Sequence, residues 1–412
     1  MNLLLPAETP ADERFWTEAW PAFAARAPLA PFAEEALLFL DAFAKRVLLD
    51  PALRVLPTFA TLAHWSRRGH LQGYAPLFAA RPGAVRAARG VILHLAPANV
   101  DTLFAYSWFT ALLCGNANVV RVSARSLPVI APLLGTLRAL LAEPAFAAVR
   151  ERTLLVSYEH DDALTTRLSA ACQGRLVWGG DETVRAIRAL PLPATAIEVA
   201  FADRFSFAAL AADHVAGLAG AELARLAEDF CNDAFQFGQK ACASPRVVVF
   251  TGTCQACAVA AGRFWPALST VVRDRGLLFA EADGIARLAS ALAMAAAVPG
   301  ARLTVRPADG APPLVLAAPT WQPELRALHD GAGFFAQLDL PALASLAPLL
   351  TPRDQTLVAA GYAAEELGDF ARRLPARSLD RIVAPGHALD FEPAAWDGRN
   401  LFEVLTRETA LP

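Results

Sequence analysis

The sequence predicts an α/β protein built from two domains, and three observations point to this class. With 412 residues, the chain is longer than one ordinary core needs. Apolar residues make up 55% of it, so a large interior can be buried. From residue 90 onward, short apolar runs alternate with helix-length segments. This alternation is typical of a doubly wound sheet of mostly parallel strands.

The N-terminal region, residues 1–85, is predicted to be helical, because apolar residues recur at helical spacing in PFAEEALLFLDAFAKRVLL. The chain begins with MNLLLPAETPADERF, which has neither a basic region nor a sustained apolar stretch. We therefore expect no secretory signal and a cytoplasmic location. The formal net charge of −3 offers none of the basic surface that nucleic-acid-binding proteins use.

Residues 86–205 are predicted to form the first α/β domain. A buried strand is expected at 90–96, where an apolar run closes at Pro97. Further strands are expected at 118–122, 153–157 and 175–178, and helices at 102–113, 129–141, 162–171 and 181–190. The uncharged stretch 102–120 is long enough to be mistaken for a membrane span, but its CGNAN sequence favours a buried helix, a turn and a strand. Ligands of such sheets bind at the carboxyl ends of the strands.

Residues 206–375 are predicted to form the second α/β domain. Helices are expected at 221–237, 256–268 and 284–297, and strands at 247–250, 303–305, 314–317, 334–338 and 356–359. The final segment, residues 376–412, begins with another expected strand in the sequence RIVAP. This segment is expected to return to the first domain or to form an oligomer interface.

The six cysteines are expected to be reduced thiols, since no export signal precedes them. Cys254 and Cys257 form a CxxC pair, but a metal site would need a second pair or nearby histidines, and none follows. We therefore expect no metal. The pair is interpreted as part of a helix start capped by Thr251 or Thr253.

Three short segments combine residue types that carry chemistry: APANV at 96–100, VWGGDE at 177–182 and GQKACASPR at 238–246. Each is ambiguous alone. A cysteine in an apolar chain is often a small buried hydrophobe. Two glycines before a helix form a tight turn or receive a phosphate at the helix N-terminus. The usual dinucleotide fingerprint, GxGxxG, is absent from the sequence.

In this order the segments resemble the aldehyde dehydrogenase superfamily, and most closely its acyl-CoA reductase branch, the LuxC-type fatty-acid reductases. The resemblance spans about residues 90–398 and is carried by APANVDTLFAYSWFTALLCGNANVVRVSARS, VWGGDETVRAI, FGQKACASPRVVVFTG and DRIVAPGHALDF. It implies an aldehyde-dehydrogenase-like fold, in which a Rossmann-type cofactor domain is joined to an α/β catalytic domain.

The resemblance also implies catalytic roles for Cys242 and Asn99. Cys242 lies where the family has its nucleophile, whose thiolate would attack a thioester carbonyl and expel the carrier thiol. Asn99 lies where the family has an oxyanion-hole amide, which would act together with the Cys242 backbone N–H. Hydride from the cofactor would then reduce the enzyme thioester to an aldehyde.

The same resemblance implies a nicotinamide cofactor on the first domain. Gly179 and Gly180 match the family's phosphate-binding turn, and Arg121 matches a basic residue at the adenosine ribose. The other candidate contacts are Ala96, Pro97, Ser123 and Arg125. Members that prefer NAD often carry an acidic residue three positions after the basic one, and here that position is Ala124. NADPH is therefore expected, with Arg121 or Arg125 facing its 2′-phosphate.

Glu198 lies roughly where hydrolytic aldehyde dehydrogenases hold their general base, but the glycines that normally follow are missing from its EVAFAD sequence. It is a catalytic candidate that we expect not to activate water efficiently. His387 lies in a Pro-Gly-His turn. It is interpreted either as a turn residue or as a contact of the cofactor or of a subunit interface.

The leading hypothesis is NADPH-dependent reduction of an acyl thioester, from coenzyme A or an acyl carrier, to an aldehyde. One alternative is a hydrolytic aldehyde dehydrogenase, which would need Glu198 to face Cys242. Another is a cysteine-dependent acyltransferase without cofactor, in which the turn of Gly179 and Gly180 would bind no nucleotide. A homo-oligomer and an acyl-transferring synthetase partner are further expectations from the family.

Overall fold

The computed structural model of the chain describes residues 1–97, 100–277, 279–306, 311–375 and 377–412. These residues fall into two compact units. The first contains residues 1–203 together with 391–412, and the second contains residues 204–390. The N-terminal region and the cofactor domain, which the sequence analysis separated after residue 85, thus lie in one unit. The C-terminal segment is divided between the two units after residue 390.

The described residues contain sixteen strands, numbered here in chain order: β1 (Asn2–Leu5), β2 (Thr9–Pro10), β3 (Ala84–Ala88), β4 (Val91–Leu95), β5 (Ala117–Val122), β6 (Thr153–Ser157), β7 (Gly174–Trp178), β8 (Ile197–Phe201), β9 (Phe205–Ala211), β10 (Val247–Thr251), β11 (Arg302–Val305), β12 (Leu314–Ala318), β13 (Phe334–Leu340), β14 (Asp354–Ala360), β15 (Arg381–Val383) and β16 (Thr406–Ala410).

The α-helices of the same residues are α1 (Trp20–Ala24), α2 (Glu34–Leu49), α3 (Pro51–Arg54), α4 (Pro57–Trp65), α5 (Arg68–Gln72), α6 (Leu103–Leu113), α7 (Leu127–Ala142), α8 (Ala147–Arg150), α9 (Asp162–Ser169), α10 (Asp181–Arg188), α11 (Ala212–Gly217), α12 (Gly220–Phe235), α13 (Cys254–Asp274), α14 (Glu281–Ala297), α15 (Glu324–Ala327), α16 (Ala364–Arg372) and α17 (Leu401–Val404). A π-helical turn, Phe15–Ala19, precedes α1, and 3₁₀ turns lie at Ala75–Phe78, Ala124–Ser126, Pro144–Phe146, Leu343–Leu349 and Pro393–Ala395.

The first unit is organised around one sheet, whose strand order within the described residues is β2-β1-β6-β5-β4-β7-β8. Strands β4 to β8 run parallel, whereas β1 and β2 are antiparallel additions beside β6. β4 is buried along its whole length, as expected for a nearly continuous apolar strand inside a parallel sheet. Its last residue, Leu95, lies opposite Arg121 on β5 and Val177 on β7. The carboxyl ends of these three strands therefore meet at one edge.

The uncharged stretch 102–120 forms a buried helix, a turn and a strand, as predicted. All residues of α6 except the first are buried. Gly115 then turns the chain with φ 85°, and a Cβ at this position would lie 2.2 Å from the Leu29 carbonyl oxygen. Glycine is therefore required here both by the backbone conformation and by the close approach of another segment.

One helical stretch of the described residues, Ala124–Ala142, is long and apolar enough to cross a membrane by length and composition alone. Its buried face includes Ile130, Leu133 and Leu137, which pack in the core of the first unit. Core helices of globular proteins pass the same test, so this stretch is weak evidence for a membrane span.

The helical prediction for residues 1–85 was incomplete at its start. Asn2–Leu5 forms β1, in which Leu3 lies opposite Val156 of β6. Leu4 and Leu5 are buried. Four residues with the sequence NLLL are too few to distinguish a strand from a helix by periodicity.

The last residues complete the first unit. β16 pairs antiparallel with β3, and Glu408 lies opposite Arg86 in this ribbon. Ahead of β16, the buried ring of Phe402 contacts Tyr74 and Phe78 at centroid distances of 5.2 and 4.6 Å. The C-terminal residues thus belong to the same core as helices near the N-terminus.

The second unit contains a sheet with the order β11-β12-β13-β10-β9-β14-β15 within the described residues. Its strands run parallel except β11. Alternate residues of β10 enter different buried clusters: Val248 and Phe250 pack in one, Val247 and Val249 in the other. The sheet is therefore covered on both faces, and the predicted α/β fold with parallel sheets is confirmed.

Candidate active site

Cys242 lies in the loop that joins α12 to β10 in the second unit. After α12 ends at Phe235, Gly238 and Gln239 both have positive φ angles, 60° and 63°. Glycine adopts this left-handed conformation without strain, whereas Gln239 needs compensating contacts. The Cys242 side chain beyond this turn is partly exposed. The loop therefore leaves this thiol accessible in its own unit.

Those compensating contacts come from the Gln239 side chain, which is fully buried. Its Nε2 donates to the Pro245 carbonyl oxygen at 2.9 Å, and its Oε1 accepts from the Gly333 N–H at 2.8 Å. A Cβ on Gly331 would lie 2.7 Å from the Gln239 carbonyl oxygen, so this second chain segment also packs tightly on the loop. The glutamine of the GQKAC motif thus fixes the loop from inside.

The backbone of Cys242 is held by Ser206, the buried second residue of β9. Ser206 Oγ donates to the Cys242 carbonyl oxygen at 2.7 Å and accepts from the Thr356 N–H of β14 at 3.2 Å. These bonds connect the cysteine loop to two neighbouring strands. A side chain on such a restrained backbone needs little reorganisation before it reacts.

Asp233, in the last turn of α12, joins the cysteine loop to another loop. Its carbonyl oxygen accepts from Ser244 Oγ at 2.8 Å. Its carboxylate oxygens accept from the N–H groups of Gly386 and Ala388 at 2.7 and 2.8 Å. Burial raises the pKa of this carboxyl to about 7, although the two N–H groups favour its charged form.

His387 lies between those two backbone donors, and its ring pairs with Asp390. The ring Nδ1 is 2.7 Å from Asp390 Oδ2, and 63% of the side chain is exposed. The Asp390 carboxylate raises the pKa of the imidazole, because it favours the protonated ring. This geometry favours the interpretation of His387 as a turn residue, and contact with a cofactor or another subunit stays a prediction.

Four other cysteines differ from Cys242 because they are buried: Cys114, Cys172, Cys231 and Cys257. Burial raises the pKa of each of these thiols, to about 12 for Cys172 and about 11 for Cys257. A raised pKa leaves less thiolate, so these cysteines are poor nucleophiles.

Cys254 is exposed at the first position of α13. Thr253 Oγ1 accepts from the Ala256 N–H at 3.2 Å, which confirms the predicted helix start with Thr253 as its cap. Among the residues that the structure describes, no group of three or more His, Cys, Asp and Glu side chains is arranged to hold a metal ion.

The candidate cofactor residues lie at the carboxyl ends of β4, β5 and β7 in the first unit. Ala96 and Pro97 follow β4, Ser123 follows β5 and Gly179 follows β7. Because these strands are neighbours, the structure brings the candidates together at one edge. This is the edge at which doubly wound sheets bind ligands.

The two arginines of this edge have different surroundings. Arg121 Nη2 donates to the Tyr158 carbonyl oxygen at 3.1 Å, and its guanidinium carbon lies 5.4 Å from the centre of the Tyr158 ring. Arg125 is exposed in the 3₁₀ turn after β5, where its backbone N–H donates to Ser123 Oγ at 3.3 Å. Arg125 therefore has the more accessible guanidinium.

The two glycines after β7 differ in the space around them. A Cβ on Gly179 would lie 3.1 Å from Thr183 Cβ, whereas a Cβ on Gly180 would have no heavy atom within 4 Å. Gly180 precedes α10 without any side-chain cap. Asp181 and Glu182 in the first turn offset part of the attraction of the helix dipole for an anion. What this turn offers a phosphate is open space and backbone N–H groups.

Glu198 is the second residue of β8 and lies opposite Arg175 of β7. Arg175 Nη2 is 2.6 Å from one carboxylate oxygen, and Arg188 Nε is 3.1 Å from the other. The position is near the amino end of the parallel strands, away from the edge that carries the cofactor candidates. This geometry favours a structural ion pair and does not favour the catalytic role for which Glu198 was a candidate.

Asn99 lies outside the described residues, so its oxyanion role stays a prediction. Ser206 and Asp233 were not predicted from the sequence. The available signal was faint: Asp233 is an acidic residue three positions after Phe230, on the apolar face of α12.

Solved structures of aldehyde dehydrogenases share this fold. The lactaldehyde dehydrogenase of Escherichia coli matches with a TM-score of 0.65 and 15% identity, over 95% of this chain and 88% of that chain. The NAD-dependent benzaldehyde dehydrogenase of Corynebacterium glutamicum matches with a TM-score of 0.64 and 15% identity, over 95% of this chain and 86% of that chain. An aldehyde dehydrogenase of Mycobacterium tuberculosis complexed with NAD+ matches with a TM-score of 0.65 and 14% identity, over 95% of this chain and 89% of that chain. The chain therefore has the aldehyde dehydrogenase fold.

One segment of the sequence also matches a protein family. Residues 83–260 match the acyl-CoA reductase (LuxC) family, and this segment includes Cys242 and the candidate cofactor residues. No curated protein matches the chain by sequence. This family match, together with the shared fold, supports a LuxC-like acyl-CoA reductase. The resemblance inferred from the three motifs is confirmed.

Proposed function

We propose that the chain reduces an acyl thioester to an aldehyde, with NADPH as the hydride source and Cys242 as the acylated residue. The observation that carries this proposal is the partly exposed Cys242 on a restrained backbone, inside the segment that matches acyl-CoA reductases. A thiolate is the nucleophile that acyl transfer between thioesters needs.

In the first half-reaction, the Cys242 thiolate attacks the carbonyl carbon of the acyl thioester. The bond from that carbon to the carrier sulfur breaks, the carrier leaves as a thiolate that takes up a proton, and the acyl group stays on Cys242. The developing oxyanion needs hydrogen-bond donors. We assign this role to the Cys242 backbone N–H and, as a prediction, to Asn99.

The residues at the ends of β4, β5 and β7 fit a nicotinamide dinucleotide. Open space at Gly180 and the uncapped first turn of α10 suit a diphosphate. The exposed guanidinium of Arg125 suits a 2′-phosphate. When bound, NADPH supplies the hydride for the second half-reaction. The chain's own part in that step is to release Cys242 as a leaving thiolate and to keep water from its thioester.

Oxidation of aldehydes to acids is the second candidate, because the solved structures with this fold are aldehyde dehydrogenases. That reaction needs a base to activate water. The ion pairs of Glu198 with Arg175 and Arg188 argue against Glu198 in this role. We therefore prefer the reductase. A homo-oligomer and an acyl-transferring synthetase partner are proposed on the family resemblance alone, and the cytoplasmic location stays a prediction from the sequence.

The test is to incubate the purified chain with acyl-CoAs of graded length and NADPH, and to follow the absorbance of the reduced nicotinamide. We expect a loss of absorbance together with a trapped aldehyde, at a chain length that the assay defines. Acid formed from aldehyde and oxidised cofactor, without coenzyme A, would instead support the dehydrogenase. Acyl exchange between thiols without any absorbance loss would support an acyltransferase.

A further inference from the structure

A cluster of charged side chains lies in the first unit, beside the ribbon of β3 and β16. A cavity of about 490 Å³ is lined by four arginines and two glutamates: Arg81, Arg86, Arg89, Arg407, Glu403 and Glu408. Arg89 stands just before β4, where its N–H donates to Asn116 Oδ1 at 2.9 Å. The cavity is therefore at the amino end of β4, whereas the candidate cofactor residues are at the carboxyl end.

The positive charge of this cavity is only partly balanced. Glu408 pairs with both Arg81 and Arg86, at 2.6 Å in each case. Within the described residues, neither Arg89 nor Arg407 forms an ion pair. These two guanidinium groups also repel each other, and burial together with Arg407 lowers the pKa of Arg89. Two positive charges in the lining thus exceed the acidic groups.

One donor of the Arg86 side chain lacks a hydrogen-bond partner. The side chain is only 10% exposed, and its Nε is buried without a hydrogen-bond partner among the described residues. A buried donor that makes no hydrogen bond is unfavourable unless a ligand or water satisfies it. The cavity therefore combines excess positive charge with a neighbouring buried donor that no described residue satisfies.

We propose that this cavity binds a small molecule that carries a diphosphate or an equivalent pair of phosphate charges. Guanidinium groups match phosphate oxygens with paired hydrogen bonds and keep their charge at any physiological pH. Two added negative charges would balance the excess in the lining. The volume also falls within the range of about 300–1,000 Å³ that small-molecule sites occupy.

A ligand at this position would connect β3, β16 and the start of β4. Since it binds the folded unit and not the unfolded chain, it stabilises the folded state by an amount that increases with the logarithm of its concentration above Kd. The site is independent of the reaction proposed for Cys242.

The probe is inorganic pyrophosphate, titrated into the full chain by calorimetry at low ionic strength, with and without NADPH. With NADPH present to occupy the candidate cofactor edge, we expect saturable binding of pyrophosphate at one site per chain and a rise in the unfolding temperature. Arg407→Gln should weaken this binding at least about tenfold, as expected for one charge-assisted contact. Arg407 is exposed, so the variant is expected to fold. Arg54→Gln, an exposed arginine elsewhere in the same unit, is the matched control and should bind like the wild type.

The proposal fails if the wild type shows no saturable binding at millimolar pyrophosphate, or if Arg407→Gln binds unchanged. It also fails if Arg125→Ala, and not Arg407→Gln, removes the binding, because the probe would then occupy the candidate cofactor edge. Binding of an acidic peptide without binding of pyrophosphate would show that the arginines contact a protein. None of these outcomes depends on whether the chain reduces acyl thioesters.

Discussion

At Cys242, partial exposure is combined with a backbone that Ser206 and the Gln239 side chain hold in place. Cys254 is also exposed, but it lies at the start of α13, outside the segment between α12 and β10. Accessibility alone therefore does not separate these two thiols. Their backbone environments do, and this difference can be measured.

Cys242→Ala is expected to abolish both acylation and aldehyde formation, because the acceptor thiol is removed. Cys254→Ala is the matched control, which removes the other exposed thiol and should retain turnover. Intact mass after incubation with acyl-CoA, without cofactor, measures the adduct directly. One acyl mass is expected on the wild type and the control, and none on Cys242→Ala. An undiminished adduct on Cys242→Ala would show that the nucleophile lies elsewhere.

Arg125→Ala is expected to lower kcat/KM with NADPH by about ten- to a hundredfold and to leave kcat/KM with NADH nearly unchanged. The reason is that one charge-assisted hydrogen bond to the 2′-phosphate contributes about 1.5–3 kcal/mol. Steady-state kinetics with both cofactors measures the effect, and NADH serves as the internal control. Equal losses of kcat/KM with both cofactors would mean that Arg125 does not contact the 2′-phosphate.

Glu198→Gln is expected to reduce stability and not turnover. Gln keeps the shape but loses the charge that faces Arg175 and Arg188. Because Arg175 is buried, we expect a loss of about 1–3 kcal/mol in the free energy of unfolding. Urea unfolding and acyl-CoA reduction are measured side by side, with the exposed Glu13→Gln as control. A variant of normal stability with strongly reduced turnover would restore Glu198 as a catalytic candidate.

At the scale of elements, Asp233 is where α12, the cysteine loop and the turn around His387 are joined. Both carboxylate oxygens are used by backbone donors, so an uncharged isostere cannot replace the group fully. In Asp233→Asn, the amide NH₂ faces the N–H of Gly386 or Ala388. We expect this mismatch to reduce the free energy of unfolding by about 1–3 kcal/mol.

The same variant is expected to change the pH dependence of stability. The Asp233 pKa rises from 3.8 to about 7 on folding, so the folded chain holds a proton that the unfolded chain has lost between these values. This contribution to stability is complete below about pH 4 and is lost as the pH rises through 7. Asn does not titrate, so the stability of Asp233→Asn should vary less between pH 5 and 8.

Chemical unfolding at pH 5 and pH 8 measures that difference. His387 and Asp390 lie nearby and remain in both proteins, so only the part that belongs to Asp233 should disappear. Asp229→Asn, on the same helix and 39% exposed, is the control that should keep the wild-type difference. An unchanged difference in Asp233→Asn would contradict the assignment.

The sequence was sufficient for the strands that build the candidate cofactor edge, because their apolar runs are bounded by strong signals such as Pro97 and Gly115. It was not sufficient for β9, whose sequence FSFAALA is rich in alanine, a residue with little strand preference. The contacts of Ser206 and Asp233 also could not be predicted from the sequence. Their partners include Thr356 and Gly386, about 150 residues further along the chain, and no local pattern encodes such pairs.

At the scale of the whole molecule, the first unit is assembled from two distant parts of the chain. Phe402→Ala tests how fully the later part is integrated. We expect a loss of about 3–5 kcal/mol, because the buried ring fills space beside Tyr74 and Phe78. Hydrogen exchange should accelerate among the N-terminal helices and in β3, as well as near residue 402.

Phe370→Ala, which removes a ring buried in the core of the second unit, is the matched control. Its effect on exchange should be centred in residues 204–390. If Phe402→Ala changed exchange only within residues 391–412, the C-terminal part would be an appendage and not a component of the first core.

The two-part composition of the first unit also sets an order of events during synthesis. On the ribosome, residues 1–203 emerge before the second unit but lack β16 and Phe402, which are translated after residue 390. The second unit, residues 204–390, is contiguous and has all of its own strands before then. Domains usually fold in the order in which they are translated. Here we expect the reverse, because the second unit can complete its folding before the first. Until β16 is translated, β3 remains an unpaired edge strand that a chaperone or another strand can bind.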